Sequence, residues 1–502
     1  MTLPAATVEP HASGVRRYAW RLLLAGEIAL ATTLSFVALG RRSFWLDESV
    51  SVTGARLDWS GFVHWIHTGE GNMSLYHLLL FGWVRVAGSS EIAVRSFSAV
   101  AGIASVAVLF LLARRLAGVR VALWAGLLMA VNPLYVRYAQ EARGYSLCLL
   151  LVTLASYLFV RALDRPSWAN WIAYTLVAGL AAYAHVFALL VPASHAVSLL
   201  FVDRRALSLR KLAFSAGLLL LSQAPLAYLL ATSGQSSAVG WVASNNAVGR
   251  LFAEIHARPP LAGIVLVIGV AFLLLAYRLI ARRLGSPAHT TSTWSRLFVV
   301  AWLLVPPVLV AGVAVVYEPL FLARYFIVCL PPFVLLFALI LDRVRRPKAA
   351  TAAVLVVALL SLVPVMRWYS SGQVENWRGA TRSVVDATKP GDGVLFFASF
   401  VRVPFALYLN EGEMDDRAPV SINPSGDWDS RTSVYGSATP TSRGFLTRDA
   451  LRFARIWLVL SHYSPGGSDY GATRTWLADM GYREKRSESF ADVTVVLYAR
   501  RI

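Results

Sequence analysis

Apolar residues in this chain run in blocks. Stretches of about 18–23 residues, the length that crosses a bilayer as a helix, begin near Ala19, Ile92, Val119, Arg143, Trp168, Val186, Leu212, Leu261, Trp294, Arg324 and Ala349. One further run, Ser74 to Gly88, has about 15 residues and is short for a crossing. The first run is too long for the apolar part of a signal peptide and is followed by many more, so it is expected to stay as an anchor. From about Trp368 the pattern changes. Short β-type runs stand at Val394–Phe397, Ile456–Leu460 and Val493–Tyr498, helical patterns at Trp377–Ala387 and Thr473–Met480, and Pro-Gly turns between them. Alternating helix and strand signals predict a small α/β domain. The polar stretch 411–447 reads as loop. The expected organisation is a polytopic α-helical membrane module over residues 1–367, whose first external loop (41–91) carries interfacial helices, and a C-terminal extracytoplasmic α/β domain over 368–502.

Charge decides how the spans are oriented. If the short run Ser74–Gly88 does not cross, the clusters Arg16/Arg17, Arg114/Arg115/Arg120, Arg161/Arg165, Arg204/Arg205/Arg210/Lys211, Arg282/Arg283 and Arg343/Arg345/Arg346/Lys348 all fall on one face. That is the cytoplasmic face by the positive-inside rule; if the run crosses, they scatter over both. The short run is therefore read as an interfacial helix on the outer surface. This gives about eleven transmembrane helices, a cytoplasmic N-terminus and an external C-terminal domain in the plasma (inner) membrane. Composition agrees: 57% of residues are hydrophobic and only 15% charged, against roughly 25% in soluble domains. The net charge of +19 belongs to the membrane part, since residues 368–502 hold 16 basic and 15 acidic side chains. It reads as loop charge that sets topology and not as a nucleic-acid surface. Lysine occurs only at 211, 348, 389 and 485, an arginine bias that points to a GC-rich bacterial genome. Cys148 and Cys329 sit in apolar runs and form no metal pair or disulfide framework.

The unusual polar residues gather in the outward connections. Just past the first span comes Phe44-Trp45-Leu46-Asp47-Glu48-Ser49. Two adjacent carboxylates at the lipid boundary are costly unless paired or used, and one could act as general base on a hydroxyl. Tyr135 to Tyr145, read Tyr-Val-Arg-Tyr-Ala-Gln-Glu-Ala-Arg-Gly-Tyr, could bind a phosphate through Arg and orient it with Glu141; an ion pair anchoring a helix end fits equally. Arg324-Tyr325 lies on the face where topology disfavours positive charge, which hints at an anionic ligand. His185 sits at an outer boundary. His64, His67, Glu70 and His77 line the first loop; a divalent metal is compatible with that set, but its spacing fits no metal pattern. Glu27, inside the first span, should face protein or snorkel.

In this order the residues resemble the GT-C membrane glycosyltransferases, nearest to glycosyltransferase family 39, the group of the protein O-mannosyltransferases and the lipid A aminoarabinose transferase. Phe44–Ser49 looks like the acidic motif of that group. Asn72–Leu80, with Tyr76 and His77, looks like its following helix, without the proline pair common in relatives. Tyr138-Ala139-Gln140-Glu141-Ala142-Arg143-Gly144-Tyr145 matches an element of bacterial members, and Tyr183–Phe187 and Arg324-Tyr325 have counterparts. The resemblance covers most of residues 15–385. It implies a GT-C fold and a monosaccharide, mannose or arabinose for example, moved from a polyprenyl-phosphate donor on the outer face, in cell-wall biogenesis. Asp47 would be the base, with Glu48 beside it. Arg143, Arg324 or, in reserve, Arg42 would hold the leaving phosphate. Glu70, Tyr76, His77, Tyr138, Gln140, Glu141, Tyr145, His185 and Tyr325 would line the substrate site. No cofactor is implied. The partners would be the lipid-linked donor, an acceptor glycan or glycolipid and membrane lipids, with no nucleic acid. A protein acceptor is the alternative. A transporter is the rival from another class; its polar groups would sit near the midplane at broken helices, whereas here they collect at one surface.

Overall fold

The computed structural model describes residues 14–202, 207–232, 291–316, 323–397, 399–412, 417–423, 428, 450–461 and 468–500. The expected span from Leu261, the outer loop 233–260, Glu318-Pro319 and most of 411–447 lie outside the described residues. In chain order the helices begin with α1 (Gly14–Phe36), α2 (Leu46–Arg56), α3 (Trp59–Thr68), α4 (Ser74–Ala87), α5 (Glu91–Ala117), α6 (Val119–Ala130), α7 (Pro133–Ala139), α8 (Tyr145–Asp164) and α9 (Trp168–Ala184). They continue with α10 (Leu190–Ser198), α11 (Leu209–Ser222), α12 (Ala224–Thr232), α13 (Thr291–Val316), α14 (Leu330–Leu341), α15 (Pro347–Ser371), α16 (Trp377–Ala387), α17 (Arg402–Glu411) and α18 (Ser468–Asp479). The strands are β1 (Gly393–Phe396), β2 (Val420–Asn423), β3 (Arg455–Ser461), β4 (Arg483–Phe490) and β5 (Val493–Ala499).

Among the described residues, 7 stretches are long and apolar enough to cross a membrane, or 8 if α6 and α7, bent by 61° at their junction, make one span. The runs from Trp168 and Val186 form shorter apolar helices, and the Ser74 run forms α4, 14 residues long. The chain divides into two compact units. One comprises Met1–Val37, Glu70–Tyr76 and Arg95–Gly372; the other comprises Ala38–Gly69, His77–Val94 and Gln373–Ile502.

The first unit is the helical bundle, and its connections sort to two ends. At one end Arg115 Nε donates to Asp164 Oδ2 at 2.7 Å and Arg120 Nε to Asp342 Oδ1 at 2.8 Å, while the Lys211 ammonium meets the Pro166 carbonyl. Four of the basic clusters singled out by topology thus meet at a single end. At the other end Gln140, Arg143 and His185 lie together, with the last turn of α1 and the residues just before α14. At that same end Ser35 Oγ lies 3.4 Å from Tyr135 Oη and Ser98 Oγ donates to the Arg143 carbonyl at 3.4 Å. Glu27 faces protein: its carboxylate fills the space beside Gly126, where a Cβ would come within 1.9 Å of Oε2. Deeper in the bundle His195 accepts or donates to Ser156 Oγ at 3.0 Å and Tyr174 Oη at 3.1 Å, a buried polar knot tying α8, α9 and α10.

The second unit contains a five-stranded sheet of order β2-β1-β3-β5-β4, with β1 parallel to β2 and β3, and β5 antiparallel to β3 and β4. Leu395, Ile456, Leu458, Leu460, Leu477, Tyr482 and Val496 form its core. Strands β1, β3 and β5 and helix α16 stand where the sequence predicts them. Strands β2 and β4 and helix α17 do not announce themselves, because β4 (Arg-Glu-Lys-Arg-Ser-Glu-Ser-Phe) is an exposed edge with little apolar content. Its partner is fixed by a tight turn in which Ala491 and Asp492 both take positive φ, 35° and 52°, the twist a two-residue hairpin needs.

Candidate active site

In the helical bundle the site is built around the turn that joins α7 to α8. Asn132 starts α7 by accepting from Leu134 N at 2.9 Å, with Pro133 at the first helical position. The helix ends after Ala139. Gln140 then reaches the open end of α1, its amide nitrogen donating to the carbonyls of Leu34 (3.2 Å), Ser35 (3.1 Å) and Val37 (2.7 Å) and its oxygen accepting from Trp368 Nε1 at 2.8 Å. These are carbonyls a helix C-terminus leaves unpaired. Gln140 therefore closes α1 and ties it to α15. Glu141 is buried and pairs with Arg137 Nε at 3.0 Å. Of the two readings open for this segment, Arg137 and Glu141 take the ion-pair role, and Arg143 is turned elsewhere.

Arg143 is 9% exposed, and its guanidinium lies 3.6 Å from Glu70. Its backbone carbonyl is held by Ser98, which Tyr76 Oη approaches at 3.3 Å, so buried Tyr76 supports the turn from beneath. Gly144 lets the turn close on the end of α9: a Cβ there would lie 2.7 Å from the Ala184 carbonyl. Next to it stands His185, 2% exposed, in the bend between α9 and a short 3-10 turn. Its Nδ1 accepts from Phe187 N at 3.3 Å, so in the neutral ring Nε2 carries the proton. Nε2 is buried and makes no hydrogen bond among the described residues. Burial first, then the charges of Arg143 and Arg324, push the imidazole down to about 3. It is a neutral donor within electrostatic reach of two guanidinium groups. Aromatic rings wall the place: Tyr145 lies 5.7 Å and Tyr325 5.3 Å from the imidazole, with Phe187 stacked on Tyr325 at 4.5 Å and Tyr138 against Tyr145 at 4.7 Å. Two cations and a buried N–H donor in one neighbourhood make a setting for an anion with several oxygens.

The acidic motif belongs to the other unit. Phe44 is buried, and α2 starts at Leu46. Glu48 is 1% exposed and turns back on its own helix, its Oε2 accepting from Trp45 N at 3.3 Å. That is the cap expected of a glutamate at the third helical position. Asp47 is half-buried. Its carbonyl accepts from Ser51 Oγ at 3.0 Å, and Ser51 Oγ lies 3.4 Å from His77 Nε2, whose ring meets Trp65 edge-on at 4.8 Å. His77 therefore packs beneath α2. Arg42 is buried in this same unit. The residues the sequence passes over are Glu375 and Tyr408: Glu375 Oε2 accepts from Leu46 N at 2.9 Å, and Tyr408 Oη accepts from Phe44 N at 2.6 Å. No motif marks either residue, since each acts on the backbone of a segment more than three hundred positions away. Among the described residues no group of three or more His, Cys, Asp and Glu side chains is placed to hold a metal ion.

Comparison with known proteins bears on both parts. ArnT from Cupriavidus metallidurans, in its crystal structure bound to undecaprenyl phosphate, is similar to this chain with a TM-score of 0.58 at 15% identity, over 96% of this chain and 98% of that one. The chain has the GT-C fold. The GT-C oligosaccharyltransferase of Archaeoglobus fulgidus, in its apo form, is similar with a TM-score of 0.54 at 13% identity, over 96% of this chain and 75% of that one. The family model described as dolichyl-phosphate-mannose-protein mannosyltransferase matches residues 75–228. That stretch includes Tyr76, Arg143 and His185 but neither the acidic motif at 44–49 nor Arg324. No curated relative matches the chain by sequence.

Proposed function

We propose that this GT-C protein transfers a monosaccharide from a polyprenyl-phosphate donor to a hydroxyl of a cell-envelope glycan or glycolipid on the outer face of the inner membrane, with inversion. The observation that carries this reading is the grouping of Arg143, Arg324 and the His185 Nε2–H, which makes no hydrogen bond among the described residues, all buried or half-buried among aromatic rings. A lipid phosphate supplies the oxygens and the negative charge that such a cluster accommodates. The undecaprenyl phosphate bound to ArnT, a protein of the same fold, supports the donor class.

In this reading Asp47 accepts the proton of the acceptor hydroxyl. The hydroxyl oxygen attacks the anomeric carbon from the face opposite the phosphate, the glycosidic bond to phosphate breaks with its electron pair, and configuration inverts. Negative charge grows on the departing phosphate, where Arg143, Arg324 and His185 act most strongly in a dry pocket. Glu48 holds the helix that carries the base. A protein acceptor stands as the second reading, favoured by the description of the family model that matches residues 75–228. The test is Asp47→Asn in the purified full chain, with turnover and undecaprenyl phosphate binding measured on one preparation. Loss of turnover with binding retained is expected, because a base acts in the transition state. Near-normal turnover contradicts the assignment.

A further inference from the structure

Three successive amides at the entrance to α2 each meet a side-chain oxygen. Phe44 N donates to Tyr408 Oη at 2.6 Å, Trp45 N to Glu48 Oε2 at 3.3 Å and Leu46 N to Glu375 Oε2 at 2.9 Å. Glu375 is the most deeply engaged of these. It is 2% exposed, and its carboxylate also accepts from Trp377 Nε1. Its backbone carbonyl accepts from Ser43 Oγ at 2.7 Å, and Ser43 Oγ in turn accepts from Trp377 N at 3.2 Å. The segment 43–46 is thus latched, by backbone and side chain, to residues 375–377. Leu46 is the first residue of α2 and Asp47 the second, so the carboxyl that fixes this amide fixes the turn on which Asp47 stands.

A structural latch needs only a neutral acceptor. A glutamate here is costly, because a second carboxylate is buried within electrostatic reach of Asp47. We propose that Glu375 is the positioning residue of Asp47: it anchors the first turn of α2 through the Leu46 amide and, as a second acidic group, adds negative charge beside it. The proposal rests on the reading of Asp47 as the base. Burial pushes Glu375 up to about 7, the hydrogen bonds from Trp377 and Leu46 opposing it and the charges of Asp47 on α2 and of Asp492, in the turn between β4 and β5, adding to it. Glu375 therefore loses its proton as the pH passes neutrality. The new negative charge then stands beside the first turn of α2 and favours movement of the acceptor proton toward it.

The test uses the purified full chain and two readouts. In Glu375→Gln the amide oxygen still accepts from Leu46 N, but no charge can form. Transfer is followed against pH with lipid-linked donor extracted from a strain that lacks the protein. Turnover of the two proteins should agree in mild acid and diverge above neutrality, wild type exceeding the variant by about threefold, as the added charge draws the acceptor proton toward the carboxyl pair. The second readout needs no substrate. The infrared band of the protonated Glu375 carboxyl, assigned by its loss in Glu375→Gln, should disappear in wild type with a midpoint near 7, and at lower pH in Asp47→Asn. A pH profile of the same shape in Glu375→Gln and wild type, or an unmoved midpoint in Asp47→Asn, overturns the proposal even if Asp47→Asn is inactive. Full turnover in Asp47→Asn removes the base itself, and the proposal with it.

Discussion

At the scale of single residues, some side chains hold the fold and others are assigned to the substrate. Gln140, Glu141, Tyr76 and Glu48 bond to backbone or to a partner in the protein. Arg143, Arg324 and His185 are the groups assigned to phosphate. Arg143→Lys and Arg324→Lys keep the charge and lose the planar fork. Each should weaken undecaprenyl phosphate binding by roughly tenfold, the loss of about one charge-assisted hydrogen bond, measured by titration of the purified protein; unchanged affinity in both removes them from the site. Gly144→Ala tests the packing instead. Its Cβ would press on the Ala184 carbonyl at 2.7 Å, and a cost of about 1–3 kcal/mol is expected as a lower midpoint of thermal unfolding. Wild-type stability would show that the turn can shift without strain.

At the scale of elements, the first turn of α2 is fixed from residues distant in sequence. Tyr408→Phe removes the oxygen that accepts from buried Phe44 N and donates to Glu91 Oε1 at 2.8 Å. Leaving a buried amide without its partner costs about 1–3 kcal/mol. Turnover should fall more than donor affinity, because the helix that moves carries Asp47; a variant with both values unchanged would show that this latch is idle. These contacts also mark how far the sequence could be read. The spans, the acidic pair, the Tyr138–Tyr145 element and strands β1, β3 and β5 follow from local apolar pattern and residue type. Glu375 and Tyr408 stand in ordinary surroundings and matter through what they touch across the chain. Strand β4 escapes for another reason: an exposed edge strand need carry no apolar alternation, and its register comes from the hairpin turn. Glu48 was legible as chemistry, yet its position as third residue of a helix gives it a cap to fill.

At the scale of the whole molecule, we propose a membrane orientation from the placement of charge. Arg115 with Asp164 and Arg120 with Asp342 bring basic clusters from separate connections to one end of the bundle, the end proposed to be cytoplasmic. A reporter active only outside the cytoplasm, fused after Trp368, should therefore be active; a silent fusion beside an active cytoplasmic reporter at the same point would reverse the orientation. The transfer reaction itself is tested most directly by mass spectrometry of the lipid-linked sugars and envelope glycans of a strain from which this chain has been deleted. The expected result is accumulation of one polyprenyl-phosphate monosaccharide together with loss of that sugar from an envelope glycan or glycolipid, both restored by the wild-type chain and neither by Asp47→Asn. An unchanged lipid-linked pool with intact glycans, or restoration by Asp47→Asn, would contradict it.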